Sequence, residues 1–176
     1  MSMGGVSLPF HSLELLPDES GQDAVRRDWE ALRDAGLPTQ LDHRSPTNAP
    51  HLTVVASPVI GPVMESLALQ RLGPLLPLRV RSSGLILFGG RRVTVARAVD
   101  VGEELLRAVV ALRGAIDDLS HRGWLPHVTL ARGLQREHVQ LAVDVLGYDD
   151  AELNLAALRH WDPETRSVKV LAGRRG

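Results

Sequence analysis

Two short strings in the 176-residue chain carry side chains that can do chemistry together. Ala49-Pro50-His51-Leu52-Thr53-Val54-Val55-Ala56 lines up with Leu125-Pro126-His127-Val128-Thr129-Leu130-Ala131-Arg132, and both read Pro-His-apolar-Thr-apolar. At this composition a His-apolar-Thr-apolar string arises by accident on the order of 0.05 times in such a chain, so two copies, each after a Pro, mark an internal repeat. On a strand, residues i and i+2 share a face. His51 and Thr53 therefore stand together, as do His127 and Thr129, while Leu52, Val54, Val128 and Leu130 take the opposite face. Two imidazoles at one phosphoester can divide the work of general base and general acid near neutral pH. Two threonine hydroxyls can donate to the non-bridging oxygens, where charge sits in the transition state. A single copy is ordinary strand chemistry, a hydrogen-bonded histidine beside a good strand former. The matched pair points instead to a phosphoester site that calls for no metal and no cofactor.

The elements that must position these strings read in alternation. Val6–Leu16 is a strand ending at Pro17-Asp18, and Asp18 or Ser20 can cap a helix with Ala24, Val25, Trp29 and Leu32 inward. Gly36-Leu37-Pro38 stops that helix and a polar loop runs to Pro50, where the first motif strand (51–56) begins. A short helix over 62–72 has Val63, Leu67 and Leu72 inward. Strands over 78–88 and 91–98 flank Gly89-Gly90, a hairpin signal. The longest helix is expected over 103–121, with Leu105, Leu106, Val109, Leu112, Ile116 and Leu119 as its stripe. The second motif strand (125–131), a helix over 135–146 and a hairpin of 153–161 with 167–171 complete the chain. This order predicts an α+β fold in one domain over residues 1–176, with no linker long enough to separate independent units.

Composition narrows the chemistry. There is no Cys, which excludes disulfides, thiolate metal sites and a cysteine nucleophile. Of 20 basic residues only Lys169 is Lys, which argues against a P-loop or a lysyl intermediate. A net charge of −1 does not suit a protein that coats long nucleic acid, though it allows one that grips a single phosphate. No secretory signal or membrane-length apolar stretch is visible, so the expected setting is cytoplasmic, away from membranes. Nothing in the sequence calls for a protein partner or for more than a monomer.

The paired His-x-Thr motifs, 76 residues apart, resemble those of the 2H phosphoesterases. The chain is most similar to the bacterial RNA 2′,3′-cyclic phosphodiesterase, or 2′-5′ RNA ligase, branch. Leu16-Pro17, Gly89-Gly90-Arg91 and the string Leu125 to Arg132 fit that branch, and the likeness covers most of the chain. It implies a bilobal fold of two pseudo-symmetric halves whose antiparallel sheets line a central cleft, with helices outside. It implies opening of a 2′,3′-cyclic phosphate to a 2′-phosphate, with RNA ends or cyclic nucleotides as substrate. His51 would protonate the leaving 3′ oxygen, His127 would activate water, and Thr53 and Thr129 would hold the phosphate. The reverse reaction would be 2′-5′ ligation. Arg132 matches a substrate-contacting basic position.

Base stacking needs exposed aromatics. Phe10, Trp124 and Trp161 are the open candidates, with Phe10 and Trp161 carried as substrate-binding residues, whereas Trp29 and Phe88 are expected in the core. Arg79 and Arg81 alternate on one strand face and are either cleft cations or a solvated edge. His11 can point into the site or away from it. His43, His121, His138 and His160 are expected at the surface. Two rival readings keep the same residues: a phosphodiesterase for 2′-5′ oligonucleotides or another cyclic diester, and an RNA-end binding module without turnover.

Overall fold

The computed structural model describes residues 10–173, so the 6–9 part of the expected first strand lies outside it. β1 (His11–Pro17) buries Leu13 and Leu15 completely. It hands over to α1 (Glu19–Asp34), whose N-cap Asp18 accepts from the Gly21 amide and whose buried stripe is Val25, Trp29 and Leu32. The loop after α1 contains a 3-10 turn, Gln40–Asp42, held by reciprocal hydrogen bonds between Thr39 and Asp42. β2 (Leu52–Ser57), α2 (Pro62–Leu72), β3 (Leu78–Gly89) and β4 (Arg92–Asp100) follow. At the β3–β4 turn Gly89 has φ +96°, and a Cβ there would come within 2.5 Å of the Arg92 carbonyl oxygen, so only glycine fits. α3 (Glu103–Arg113), β5 (His127–Gln135), α4 (Val139–Leu146), β6 (Ala151–Asp162) and β7 (Ser167–Ala172) complete the α+β fold.

All pairings are antiparallel, in the order β1-β2-β5-β4-β3-β6-β7. β6 also pairs with β1, so six strands close into a ring. β6 serves both halves because it is 12 residues long: its first part pairs with β3 and its second with β1 and β7. The other junction between the halves is slender. β2 and β5 share one register pair, Leu52 with Val128, and both side chains are buried. These are the central residues of the two His-x-Thr motifs.

Long helices reach across this junction in both directions. From α1, Asp28 pairs with Arg97 on β4 at 2.9 Å, and the Trp29 indole N–H donates to the Thr129 carbonyl at 3.2 Å. From α3, Arg113 donates to the Val54 carbonyl on β2 at 2.8 Å. The Trp124 indole, just ahead of β5, donates to the Thr53 carbonyl at 2.9 Å. Each motif threonine thus has its backbone held by a tryptophan from the other half of the sequence.

Three stretches differ from expectation. The second motif strand runs on to Gln135 and a 3-10 turn, Arg136–His138, follows, so the helix expected from 135 begins at Val139. The helix expected to run to His121 ends at Arg113. The Arg113 guanidinium there folds back onto the carbonyls of His121, Arg122 and Gly123, so the chain turns where the periodicity continues. Leu106, expected in the inward stripe, is exposed, and the 16-residue α1 is the longest of the described helices. α2 has the expected bounds, and Leu67 and Leu72 pack inward as expected, but its first turn faces differently. Val63 is 83% exposed, while Glu65, Ala68 and Leu72 are buried. Glu65 is drawn inward because its carboxylate accepts from Lys169 and is hydrogen-bonded to the His160 ring.

The tryptophan brace yields a direct test. Trp124→Phe keeps the ring but removes the N–H, leaving the Thr53 carbonyl without that donor. Denaturant unfolding should show a loss of about 1 kcal/mol. Trp29→Phe should cost more, since it also leaves a gap in the core. Wild-type midpoints in both variants would refute the brace.

Candidate functional site

The Leu52–Val128 pair sets the geometry of the two motifs. In antiparallel order around it, His51 lies on the Thr129 side of the pair and Thr53 on the His127 side. Leu52, Val54, Val128 and Leu130 are buried on one face, so the two His and two Thr share the other, where all four are partly exposed. The local axis between the motifs is a pseudo-twofold.

Each imidazole is fixed in the same way. His51 Nδ1 lies 2.7 Å from the Ala49 carbonyl oxygen, and His127 Nδ1 lies 2.7 Å from that of Leu125. A carbonyl can only accept, so Nδ1 carries hydrogen in both rings and Nε2 is left as the atom for proton transfer. The proline before each histidine lacks an N–H and favours an extended residue ahead of it, consistent with a carbonyl turned back toward the ring.

The surroundings of the two rings differ. Beside the first motif the register partner of Thr53 is Glu14 of β1, and that of Glu14 across β6 is Arg159. Glu14 Oε1 is 3.5 Å from His51 Nε2 and accepts from Ser12 Oγ at 2.6 Å, while Oε2 accepts from Arg159 Nε at 2.7 Å. Burial would raise the Glu14 carboxyl. The charges of His51 and Arg159, with hydrogen bonds from Ser12 and Arg159, outweigh it and hold the group below the usual carboxylate range. Beside the second motif the register partners are small and apolar, Ala96 for Thr129 and Ala98 for His127. The Phe88 ring lies 4.9 Å from that of His127, tilted by 52°. Burial here lowers the His127 pKa below the ordinary 6.5; the hydrogen bond to Leu125 opposes the shift, and the positive charges of Arg132 and His51 reinforce it.

The remaining sequence candidates fall into place around this face. Arg132 is exposed and close enough for its charge to act on His127. The register of β5 shifts on either side of Ala131, and Gly133 takes φ +74°, which breaks simple alternation at Arg132. Trp161 is the register partner of Ser12 and shares the face of Glu14 and Arg159. Phe10 stands immediately before β1 and is exposed. Trp124 is held through its indole N–H and packs against the core, and Trp29 is in the core as expected. Arg81 is engaged by Asp100 and Asp150, while Arg79 lines a hollow with Asp18 and Asn154, so both have settings apart from the motifs.

Phe88 is no plain core residue, since its ring rests on His127. His160, expected at the surface, is buried, with its ring between Glu65 Oε1 at 2.8 Å and His11 Nδ1 at 3.0 Å. His11 lies on the Leu13 side of β1 by alternation, facing away from the motifs. The ligand atoms of His11, Asp162 and Glu164 fall within 4.8 Å of one another, a grouping that sequence spacing does not reveal. Asp162 there also accepts from the Glu164 and Thr165 amides of the β6–β7 turn. Glu14 and Arg159 went unnoticed in the sequence. The available signal was a carboxylate inside the apolar string Ser12-Leu13-Glu14-Leu15-Leu16, which must find a partner when buried.

Among the described residues no helix is long and apolar enough to cross a membrane. A comparison with curated proteins finds no match. Among solved structures, TT0787 of Thermus thermophilus aligns at 16% identity with a TM-score of 0.57, covering 94% of this chain and 100% of that one. Escherichia coli LigT complexed with NADP+ aligns at 13% identity with a TM-score of 0.50, covering 95% of each chain. These likenesses establish a shared fold. The family model of the 2′-5′ RNA ligase superfamily matches residues 21–166, a span that contains both motifs. The chain is therefore a member of the 2′-5′ RNA ligase superfamily, with the 2H phosphoesterase fold.

Proposed function

We propose that this protein is a metal-independent phosphodiesterase that opens 2′,3′-cyclic phosphates, at RNA ends or in small cyclic nucleotides, to 2′-phosphates. The observation that carries the reading is the pair of imidazoles, each with Nδ1 tied to a backbone carbonyl, on one face with the two threonines. In this scheme His127 Nε2 takes a proton from water as the water oxygen bonds to phosphorus. The bond from phosphorus to the 3′ oxygen breaks, and His51 Nε2 delivers its proton to that oxygen. Thr53 and Thr129 donate to the non-bridging oxygens, and Arg132 adds positive charge beside them. Phe10 and Trp161 are proposed to flank the base. With the 5′ hydroxyl of a second RNA end in place of water, the same steps give a 2′-5′ bond: His127 Nε2 takes the hydroxyl proton as the 5′ oxygen bonds to phosphorus, the bond from phosphorus to the 3′ oxygen breaks, and His51 Nε2 protonates that oxygen. No nucleotide triphosphate enters either reaction.

His51→Ala and His127→Ala should each lower kcat on a cyclic phosphate by about 10²- to 10⁴-fold while leaving the unfolding midpoint close to wild type. Substantial turnover in either variant would sink the two-histidine mechanism. Activity should persist in EDTA; a need for added metal would count against it.

The pH profile follows from His127. As base it must be neutral, and its lowered pKa keeps it neutral to below the ordinary 6.5, so the acidic limb of kcat/KM should lie below that value. Arg132→Gln removes one of the positive charges responsible and should move this limb to higher pH. A limb at or above 6.5 in the wild type would contradict the assignment.

A further inference from the structure

The two halves of the site follow one pattern but differ in charge at one corresponding position. Glu14 is the register partner of Thr53, and Ala96 is the register partner of Thr129. A carboxylate on one half thus stands where the other half has a methyl group. Glu14 is only 4% exposed, and Arg159, at 7%, already supplies its Oε2 with a charged partner. The second oxygen is turned toward His51 Nε2, the atom that His51 has free for proton transfer.

We propose that Glu14 is a positioning residue that holds the proton on His51 Nε2 and thereby makes His51 the acid and His127 the base. This rests on the two-histidine reading above and specifies which imidazole does what. An opposite charge within about 4–6 Å favours the ionised form of its neighbour. Among the described residues the charged and titratable groups found acting on His51 come from three strands: Glu14 on β1, Arg159 on β6 through Glu14, and His127 on β5. Of these three, Glu14 alone is anionic.

Glu14 does not take the proton itself, because Arg159, Ser12 and the His51 charge keep it ionised. Arg159 has a second effect. It cancels the carboxylate's charge at longer range, so Glu14 can attract the nearby imidazolium without repelling an incoming phosphate. Around His127 the apolar neighbours Phe88, Ala96 and Ala98 and the cation Arg132 favour the opposite state, a neutral ring ready to accept. When His51 delivers its proton to the 3′ oxygen, the N–H bond at Nε2 breaks and an O–H bond forms. The proton that His127 took from water then restores the balance through solvent.

The test sets two variants of the same buried pair against each other. Glu14→Gln removes the anion, and the alkaline limb of kcat/KM should move down by about one pH unit, with roughly tenfold loss above it and the acidic limb in place. Arg159→Met breaks the pair from the other side but keeps the carboxylate against His51, so its alkaline limb should not move down. If Glu14 only stabilised the fold, both variants would lose activity alike at every pH with both limbs unmoved, and that outcome overturns the proposal. Glu14→Gln leaves a buried guanidinium unpaired. Should it fail to fold, the double variant Glu14→Gln/Arg159→Met removes both charges and carries the same expected downward shift.

Proton NMR titration of the His51 and His127 rings, without substrate, reads the coupling independently of turnover. In Glu14→Gln the His51 ring should lose its proton at lower pH than in the wild type, with His127 little changed. An unmoved His51 titration overturns the role of Glu14 alone. A shifted titration in a protein inactive on every cyclic phosphate would keep that role and discard the proposed reaction.

Discussion

The single β2–β5 register pair, Leu52 against Val128, is the constraint on which the rest of the site depends. It buries the middle residue of each motif and so forces the flanking histidines and threonines onto the opposite face. It also makes the arrangement pseudo-symmetric, because an antiparallel pair has a local twofold at its centre. One pair cannot hold two halves together, and the structure supplies the remainder from further off. β6 spans both halves, α1 and α3 reach across to strands of the other half, and two tryptophans clamp the threonine carbonyls. The scaffold thus makes rigid a junction whose own strand pairing is minimal.

Symmetry alone would give two equivalent imidazoles, and an acid–base reaction needs two unlike ones. The difference comes from neighbouring strands rather than from the motifs. β1 and β6 bring a carboxylate, a guanidinium and a serine hydroxyl to the first motif; β3 and β4 bring an aromatic ring and alanines to the second. A charged, hydrogen-bonded floor thus lies beside one imidazole and an apolar floor beside the other, where burial lowers the His127 pKa. The same logic shows how a chain of near-zero net charge can carry a local field at one face. A few fixed cations, one of them neutralised by its own buried partner, give a local field that the overall count does not show.

Much of this was legible in the chain. The His-x-Thr repeat, the helix over 62–72 and the Gly89 hairpin follow from local spacing and turn chemistry, which act over a few residues. Elements decided by distant partners were not. Helix α3 stops at Arg113 because of carbonyls in the following loop and on β2, and α2 turns Glu65 inward to meet Lys169 and His160. Glu14 and Arg159 are 145 residues apart and meet only through strand register. His160 and Phe88 were misplaced for a similar reason, since their neighbours His11 and His127 come from other strands.

The most direct test of the account is the identity of the product formed from a 2′,3′-cyclic nucleotide, read by phosphorus NMR. Two unlike imidazoles about one pseudo-twofold should open the ring in one direction only, giving a single 2′-phosphomonoester. A 3′-phosphate, a mixture of the two, or no turnover at all would contradict it.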